Sequence, residues 1–417
     1  GAREDGDVKE SHEASFELYL NSYKLGETDY SWNKDVAREL SEAARKKVRK
    51  GRNVIAAHCH NRAGGAYLDF GIYTRRPAGS LATQAVQRSV DVLPTQTYYT
   101  FECGPVELAL VFTAPMLPHD LDLISTPINY ISYGVRSLDG NPHEVQLYIG
   151  TTPEIAVNDI SQPICSERIE KGGLVYLKTG TIDQPYTKRV GDGVRIDWGY
   201  AYLAAGRGEN KALELGEYFA MKESFSQSGK LVTGCDPAFL SQRMTDGMTV
   251  LAFAEDLGTV RGEDKSGYLM IGYDDVWSIE YFYERLKAYW MHDGKVDIFR
   301  AFERARDGYE SLMRQCRDFD MRLMGDAEEA GGSEYAELCA LVYRQVMAAH
   351  KLLTDKQGNL MFMSKENYSN GCINTVRLTY PSSPIFLVYN TALRKGILTH
   401  IFHHTEHGRG AKPSPAH

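Results

Sequence analysis

Apolar and polar positions alternate along much of the amino-terminal part of the chain. "SFELYL" at 15–20 has the period of two that a half-buried strand needs, and "NSYKLGE" after it has turn and strand character. The period then changes. Across "WNKDVARELSEAARKKVRKGRN" Val36, Leu40, Ala44 and Val48 recur every fourth residue, and Gly51 stands where a cap belongs, which predicts a helix. "NVIAAHCHNRAGGAYLDFGIY" returns to strand composition broken by a Gly-Gly turn, and "RRPAGS" at 75–80 reads as a linker.

From 81 to 275 strand patterns dominate, among them "QTYYTFECG", "INYISYGVRSLDG", "VRIDWGYAYLAA" and "SGYLMIGYDD". Eight or more strands need a second packed layer, so these predict a large antiparallel sandwich. After 276 the spacing of apolar residues becomes three and four. "DVWSIEYFYERLKAYWMHDG", "VDIFRAFERARDGYESLMRQCRDFDMRLMGDAEEAG" and "SEYAELCALVYRQVMAAHKLLTD" predict helices, the last with Ala336, Ala340, Tyr343 and Met347 on one side. Residues 365–390 then set a polar stretch before an apolar run bounded by prolines, which reads as a strand. The organisation expected is 1–76, a partial sandwich; 81–275, the β-rich domain; and 276–417, a helical domain.

Composition narrows the function classes. A net charge of -8 disfavours nucleic-acid and anionic-membrane partners, which select basic surfaces. No stretch approaches the length of apolar chain that crosses a bilayer. The basic run Arg45–Lys50 therefore reads as a solvated face, since Glu39 and Glu42 share it. Seven scattered cysteines without a CxxC spacing indicate neither a disulfide framework nor a zinc ribbon. The abundant tyrosines suit β-rich domains and also suit stacking on sugars.

Three stretches carry candidate chemistry. In "SKENYSNGC", Glu366 can serve as a general acid or base, while Asn367 and Asn370 can orient an amide or sugar hydroxyls. The same residues can instead staple the loop through Asx-turns. In "GYDDVWS", Asp274 and Asp275 point to opposite faces if they lie on a strand, so one suits N-capping and the other suits contact with substrate. In "RIDWGY", alternation puts Arg195 and Asp197 on one face, as a carboxylate clamp or a cross-strand pair, with Trp198 opposite in the core. His58 with His60, and the histidines of "IFHHTEH", lack a full ligand set, so no metal is expected. Nothing matches a GxSxG, Walker or dinucleotide pattern, and no cofactor is expected.

Two resemblances organise these pieces. "FELYLNSYKLGE" followed by "NVIAAHCHNRAGGAYLDFGIY" resembles the later strands of galactose-binding-like jelly-roll sandwiches. "PTQTYYTFECGPVELALVFTAPMLPHDLDLISTPINYISYGVRSLDGNPHEVQLY", "GDGVRIDWGYAYLA", "GYDDVWSIEYF" and the block from "SEYAELCALVYRQVMAAHKL" to "SPIFLVYN" resemble the glutaminase A-like proteins of bacteria and fungi. That resemblance implies a β-rich domain followed by an (α/α)6 six-hairpin toroid. It implies hydrolysis of the glutamine side-chain amide to glutamate and ammonia, with Glu366 assisting attack by water and Asn367, Asn370, Asp274, Asp275, Arg195, Asp197 and His417 as candidate substrate contacts.

The implied partner is a small amide or a glycan, and the implied location is periplasmic or extracellular. Arg377 stands where the family places an acidic residue. The family also continues past "KPSPAH", so the sequence is expected to be a fragment that is inactive alone. A glycoside hydrolase-like enzyme acting on glycans and a non-catalytic carbohydrate-binding surface protein are the alternatives.

Overall fold

The computed structural model describes residues 6–12, 15–27, 33–60, 68–74, 83–189, 191, 193–262, 265–365 and 370–406. The chain divides into two compact units, Gly1–Ala82 and Thr83–His417.

In the first unit β1 (Gly6–His12) pairs with β4 (Asn33–Glu39) and β6 (Leu68–Thr74), while β2 (Ser15–Leu20) pairs with β3 (Tyr23–Glu27) and β5 (Ile55–His60). All the pairings are antiparallel and they interleave along the chain. Asn21 and Ser22 adopt left-handed backbone at the β2–β3 turn, the geometry that matches strand twist. Phe16 and Leu18 of β2 pack with Leu40 and Ala44. The helix expected across 32–53 is not formed. Residues 33–39 are a strand, and only α1 (Glu42–Arg45), capped by Ser41, is helical. A four-residue spacing of small apolar side chains is weaker than a ladder of backbone hydrogen bonds on both edges of β1.

The second unit begins with the expected sandwich. Its strands are β7 (Val86–Val92), β8 (Gln96–Cys103), β9 (Val106–Thr113), β10 (Ile128–Ser137), β11 (His143–Thr151), β12 (Ile164–Lys171), β13 (Leu174–Thr181), β14 (Tyr200–Gly206), β15 (Lys211–Glu217), β16 (Thr249–Val260) and β17 (Lys265–Asp274). Eight form one antiparallel sheet in the order β12-β13-β14-β17-β10-β9-β8-β7, and β11-β16-β15 form the facing sheet. Short helices α2 (Leu121–Ser125) and α3 (Tyr218–Ser228) lie in the connections.

Odd-numbered residues of the central strands, such as Ile131, Val175, Leu203 and Leu269, fill the space between the sheets with Leu215, Leu251 and Phe253. Their even-numbered neighbours Tyr130, Tyr176, Tyr202 and Met270 point the other way, which for a simple sandwich would be solvent. That face is instead covered by α4 (Ile298–Gly331), through Ile298, Ala301, Phe302 and Ala305. Tyr130 Oη donates to the Ala305 carbonyl at 2.9 Å, pinning the helix to the sheet.

The carboxyl-terminal half of α4 enters a different core. Gly332, with φ +86°, turns the chain directly into α5 (Ser333–Ala348), and the two helices form a hairpin in which Phe319 meets Tyr343 at 5.1 Å between ring centroids. Ala336, Ala340, Tyr343 and Met347 are all buried, the side expected from their spacing. Cys316, Phe319 and Leu323 of α4 pack there with Leu352, Phe362, Phe386, Leu393 and Ile397.

Residues 276–294 depart from the helix expected of them. They form a hairpin, β18 (Ile279–Tyr281) and β19 (Glu284–Leu286), followed by a 3-10 turn at Tyr289–Met291. Phe282 and Tyr283 occupy left-handed backbone at its tip, and Ile279 and Leu286 are buried against Leu353, Met361 and Met363. Those three residues belong to a second hairpin, β20 (His350–Thr354) and β21 (Leu360–Ser364), so the helix predicted through 355 ends at 348.

The run expected as a strand near 376–389 is a helix, α6 (Val376–Tyr389), followed by α7 (Thr391–Glu406). Pro381 and Pro384 lie inside α6, where each lacks an N–H. Burial of Phe386 in the helical core outweighs that local penalty. Among the described residues no helix is long and apolar enough to cross a membrane.

Candidate functional site

β17 ends at Asp274, and the chain turns sharply through 275–278 into the β18–β19 hairpin. Asp274 Oδ1 accepts the Val276 N–H at 2.9 Å. Val276 itself has φ +56°, a left-handed conformation that a β-branched side chain strains to hold. The 190s loop presses on this turn. A Cβ on Gly199, which has φ +78°, would lie 2.3 Å from the Asp274 carbonyl oxygen. Trp198 Nε1 donates to the Trp277 carbonyl at 2.9 Å, and Tyr273 Oη donates to the Trp198 carbonyl at 2.5 Å. Loop and turn are thus one locked body.

A cleft of about 430 Å³ opens where this body meets the segment after β21. Its polar and aromatic wall is Arg189, Arg195, Trp198 and Glu280 from the β-rich side, with Lys365 and Asn370 from the helical side. Two candidate residues from the sequence, Arg195 and Asn370, therefore line one cleft across 175 residues of chain (195 to 370). Glu366, Asn367 and His417 lie outside the described residues. The first two follow Lys365 directly in the sequence and precede Asn370, so the cleft wall brackets them along the chain.

Asp197 and Asp275 stand behind that wall. Residues 194–199 are not a strand, because β14 starts only at Tyr200, and the alternation expected there fails. Asp197 is fully buried. Its Oδ2 takes the Arg189 guanidinium and the Gln162 amide at 2.9 Å, so the guanidinium on this carboxylate is Arg189 where Arg195 was expected. Trp198, expected in the core, is half-buried and lines the cleft.

Asp275 is 3% exposed and caps no helix. Lys351 Nζ of β20 lies 2.6 Å from its Oδ2. Burial pushes this carboxyl up, but Lys351, Lys365 and the nearby Ser278 hydroxyl together hold it below the usual carboxylate range. Burial and the adjacent Lys351 ammonium pull the Lys365 amine down to about 8, with Asp275 opposing them. The group is thus two ammoniums around one carboxylate, with one of the two on the cleft wall. Asp274 faces away, into a separate cavity, and burial raises its carboxyl, with Asp275 adding to the effect and the Val276 N–H opposing it.

Sequence reasoning passed over Arg189, Glu280, Lys351 and Lys365. A lysine inside the apolar run "AAHKLL" was a usable signal for Lys351, because a buried ammonium needs a countercharge. Among the described residues no three potential metal ligands converge.

This chemistry includes guanidinium groups, a perturbed amine, an amide and a carboxylate. It can hold a small polar molecule with charged ends and supply proton transfer near neutral pH. Residues 95–326 match a domain of unknown function (DUF5127), and residues 332–417 match the glutaminase A six helical-hairpin domain. Glutaminase A of Aspergillus oryzae is 28% identical over 356 residues, covering 83% of this chain and 50% of the relative. A protein of Arthroderma benhamiae named "Probable glutaminase" is 21% identical over 322 residues, covering 73% of this chain and 36% of the relative. The chain thus spans half or less of the length of these curated relatives. The first matched region takes in the sandwich from β8 onward together with most of α4, the second begins at α5, and the chain belongs to the glutaminase A-like family.

Proposed function

We propose that the seam cleft takes part in hydrolysis of the glutamine side-chain amide, with water attacking the amide carbon under general-base assistance and ammonia as the leaving group. One observation carries the reading: the cleft gathers Arg195 and Asn370 from opposite sides of the seam, together with Lys365, the residue that precedes Glu366 in the sequence. In this reading Arg189 and Arg195 meet the α-carboxylate of the amino acid and Glu280 meets its ammonium. Asn370 holds the side-chain amide through its own donor and acceptor. Glu366 is the base, and the Lys365 amine, drawn down to about 8, can return a proton to the leaving nitrogen.

The test is ammonia release from glutamine by the longest native polypeptide that contains these 417 residues, with a glycan panel run in parallel. Glu366→Gln and Asn370→Ala are expected to lower turnover by about 100-fold or more and about tenfold respectively. Reducing-sugar release without ammonia, or an undiminished rate in Glu366→Gln, refutes the assignment.

A further inference from the structure

The charged and polar groups of the seam cleft are only part of its lining. Val194, Ile196 and Trp198 from the 190s loop and Ile373 from the helical side also border it. All four side chains are half-buried, and among the described residues Val194, Ile196 and Trp198 belong to none of the apolar cores. Ile373 packs only at the margin of the small core between the two hairpins. Val194, Arg195 and Ile196 are consecutive, yet all three line the same cleft. A strand sends neighbours to opposite faces, whereas this stretch is irregular backbone and sets a guanidinium between two aliphatic side chains on one wall.

Free glutamine does not match such a wall. It is charged at one end and polar at the other, so with it bound the aliphatic groups of Val194, Ile196 and Ile373 would stay against water or polar atoms. The cleft, at about 430 Å³, falls in the range of about 300–1,000 Å³ that encloses drug-sized ligands, a class larger than one amino acid. A sugar fits no better. Trp198 Nε1 is already given to the Trp277 carbonyl, and branched aliphatic groups leave sugar hydroxyls without partners. Because the aliphatic groups flank Arg195, the arrangement suits a ligand that is charged at its ends and aliphatic beside its carboxylate.

We propose that the seam cleft favours short peptides in which glutamine is followed by a carboxyl-terminal aliphatic residue over free glutamine. This rests on the amide-hydrolysis reading given above: water still replaces ammonia at the glutamine side chain, and the peptide bond is left intact. The terminal carboxylate meets Arg195, and the aliphatic side chain enters between Val194, Ile196 and Trp198. The glutamine amide reaches Asn370 on the opposite side, and Glu280 meets the amino-terminal ammonium.

Ammonia release from Gln-Leu, Gln-Gly, Leu-Gln and free glutamine by the longest native polypeptide that contains these 417 residues tests it. Glu-Leu is identified by mass spectrometry, so that spontaneous ring closure of the amino-terminal glutamine is not counted. Gln-Leu is expected to exceed Gln-Gly and free glutamine in kcat/KM by about tenfold or more, the discrimination an aliphatic side chain gains in an apolar site. Val194→Thr with Ile196→Thr keeps both side chains β-branched while adding a hydroxyl to each, and is expected to bring the ratio of Gln-Leu to Gln-Gly down to about threefold or less. A general loss of activity does not imitate that result, because the ratio is taken within one protein. Failure of all four substrates refutes the amide-hydrolysis reading itself. Ammonia release with Gln-Leu no better than Gln-Gly or free glutamine, or with Leu-Gln the best, overturns the peptide assignment alone, as does a ratio unmoved in the double variant. Should that variant misfold by circular dichroism, the four-substrate comparison on the native protein decides.

Discussion

Asp320 offers a quantitative test of how α4 is held to the sheet. Its side chain is completely buried about two-thirds of the way along the helix. Oδ1 accepts the Thr95 N–H at 2.8 Å, and both oxygens lie 2.9 Å from the Thr95 hydroxyl that donates to them. Burial pushes the carboxyl up to about 6, against the pull of the Thr95 donors and of nearby Arg344.

The native state therefore holds this proton more tightly than the unfolded chain, whose aspartates titrate near pH 3.9. Between those two values the folded form is protonated and the unfolded form is not, so stability falls as pH rises through the window. Above pH 6 the buried charge costs about 3 kcal/mol. Asp320→Asn removes that charge and keeps a carbonyl for the Thr95 N–H. Urea unfolding of both proteins between pH 4 and pH 7.5 is expected to show the difference in stability swing by about 3 kcal/mol in favour of the variant as pH rises.

The comparison must be a difference. Burial lowers the titration of His350, and that of His400 to about 4, so these two bind fewer protons when folded and weaken the native state as pH drops below their unfolded value. They act alike in both proteins and cancel. A gap that stays flat across this range refutes the assignment of a strained, buried carboxylate to this position.

Three further perturbations address the seam and its supports. Phe302→Ala empties the fully buried space between Tyr176, Tyr202 and α4 and is expected to cost about 3–5 kcal/mol in urea unfolding; a loss below 1 kcal/mol contradicts the packing. Gly199→Ala places a methyl against the Asp274 carbonyl at a positive φ and is expected to cost about 2 kcal/mol or more, with a change in Trp198 fluorescence as loop and turn separate. Lys351→Met leaves the Asp275 carboxylate buried beside a weaker countercharge and is expected to cost about 3–5 kcal/mol, most of it regained when Asp275→Asn is added. A double variant no more stable than the single one shows that the pair is not coupled.

The strands of the sandwich were legible because each presents side chains with a period of two, and the runs "LVYL" and "YLAA" already carried apolar residues on both faces. What the sequence did not announce was the partner for the second face, since Tyr176 and Phe302 lie 126 residues apart. Residues 276–294 misled because Trp277, Tyr281 and Phe282 imitate helical spacing, whereas left-handed backbone at Phe282 and Tyr283 closes a hairpin without a glycine to signal it. The proline pair in α6 misled in the opposite direction, toward extended chain.

At the site, Arg195 and Asn370 were singled out for their chemistry, whereas Trp198 was assigned to the core, and all three line the cleft. Asp275 and Asp197 were picked for the same acidity but are held from behind by Lys351 and Arg189, partners far away or overlooked. Polarity in a string of letters does not say whether a carboxylate faces solvent or a countercharge.

Helix α4, about 50 Å long by the usual rise per residue, belongs to two interiors at once. A hinge near residue 290 is thereby denied to the molecule, because any swing would have to bend a continuous rod whose two halves are embedded in different places. Motions that admit a reactant must then come from loops around the rim. Severing the polypeptide upstream of Ile298 would also strip a tyrosine-rich sheet face bare, leaving each half sticky when made alone.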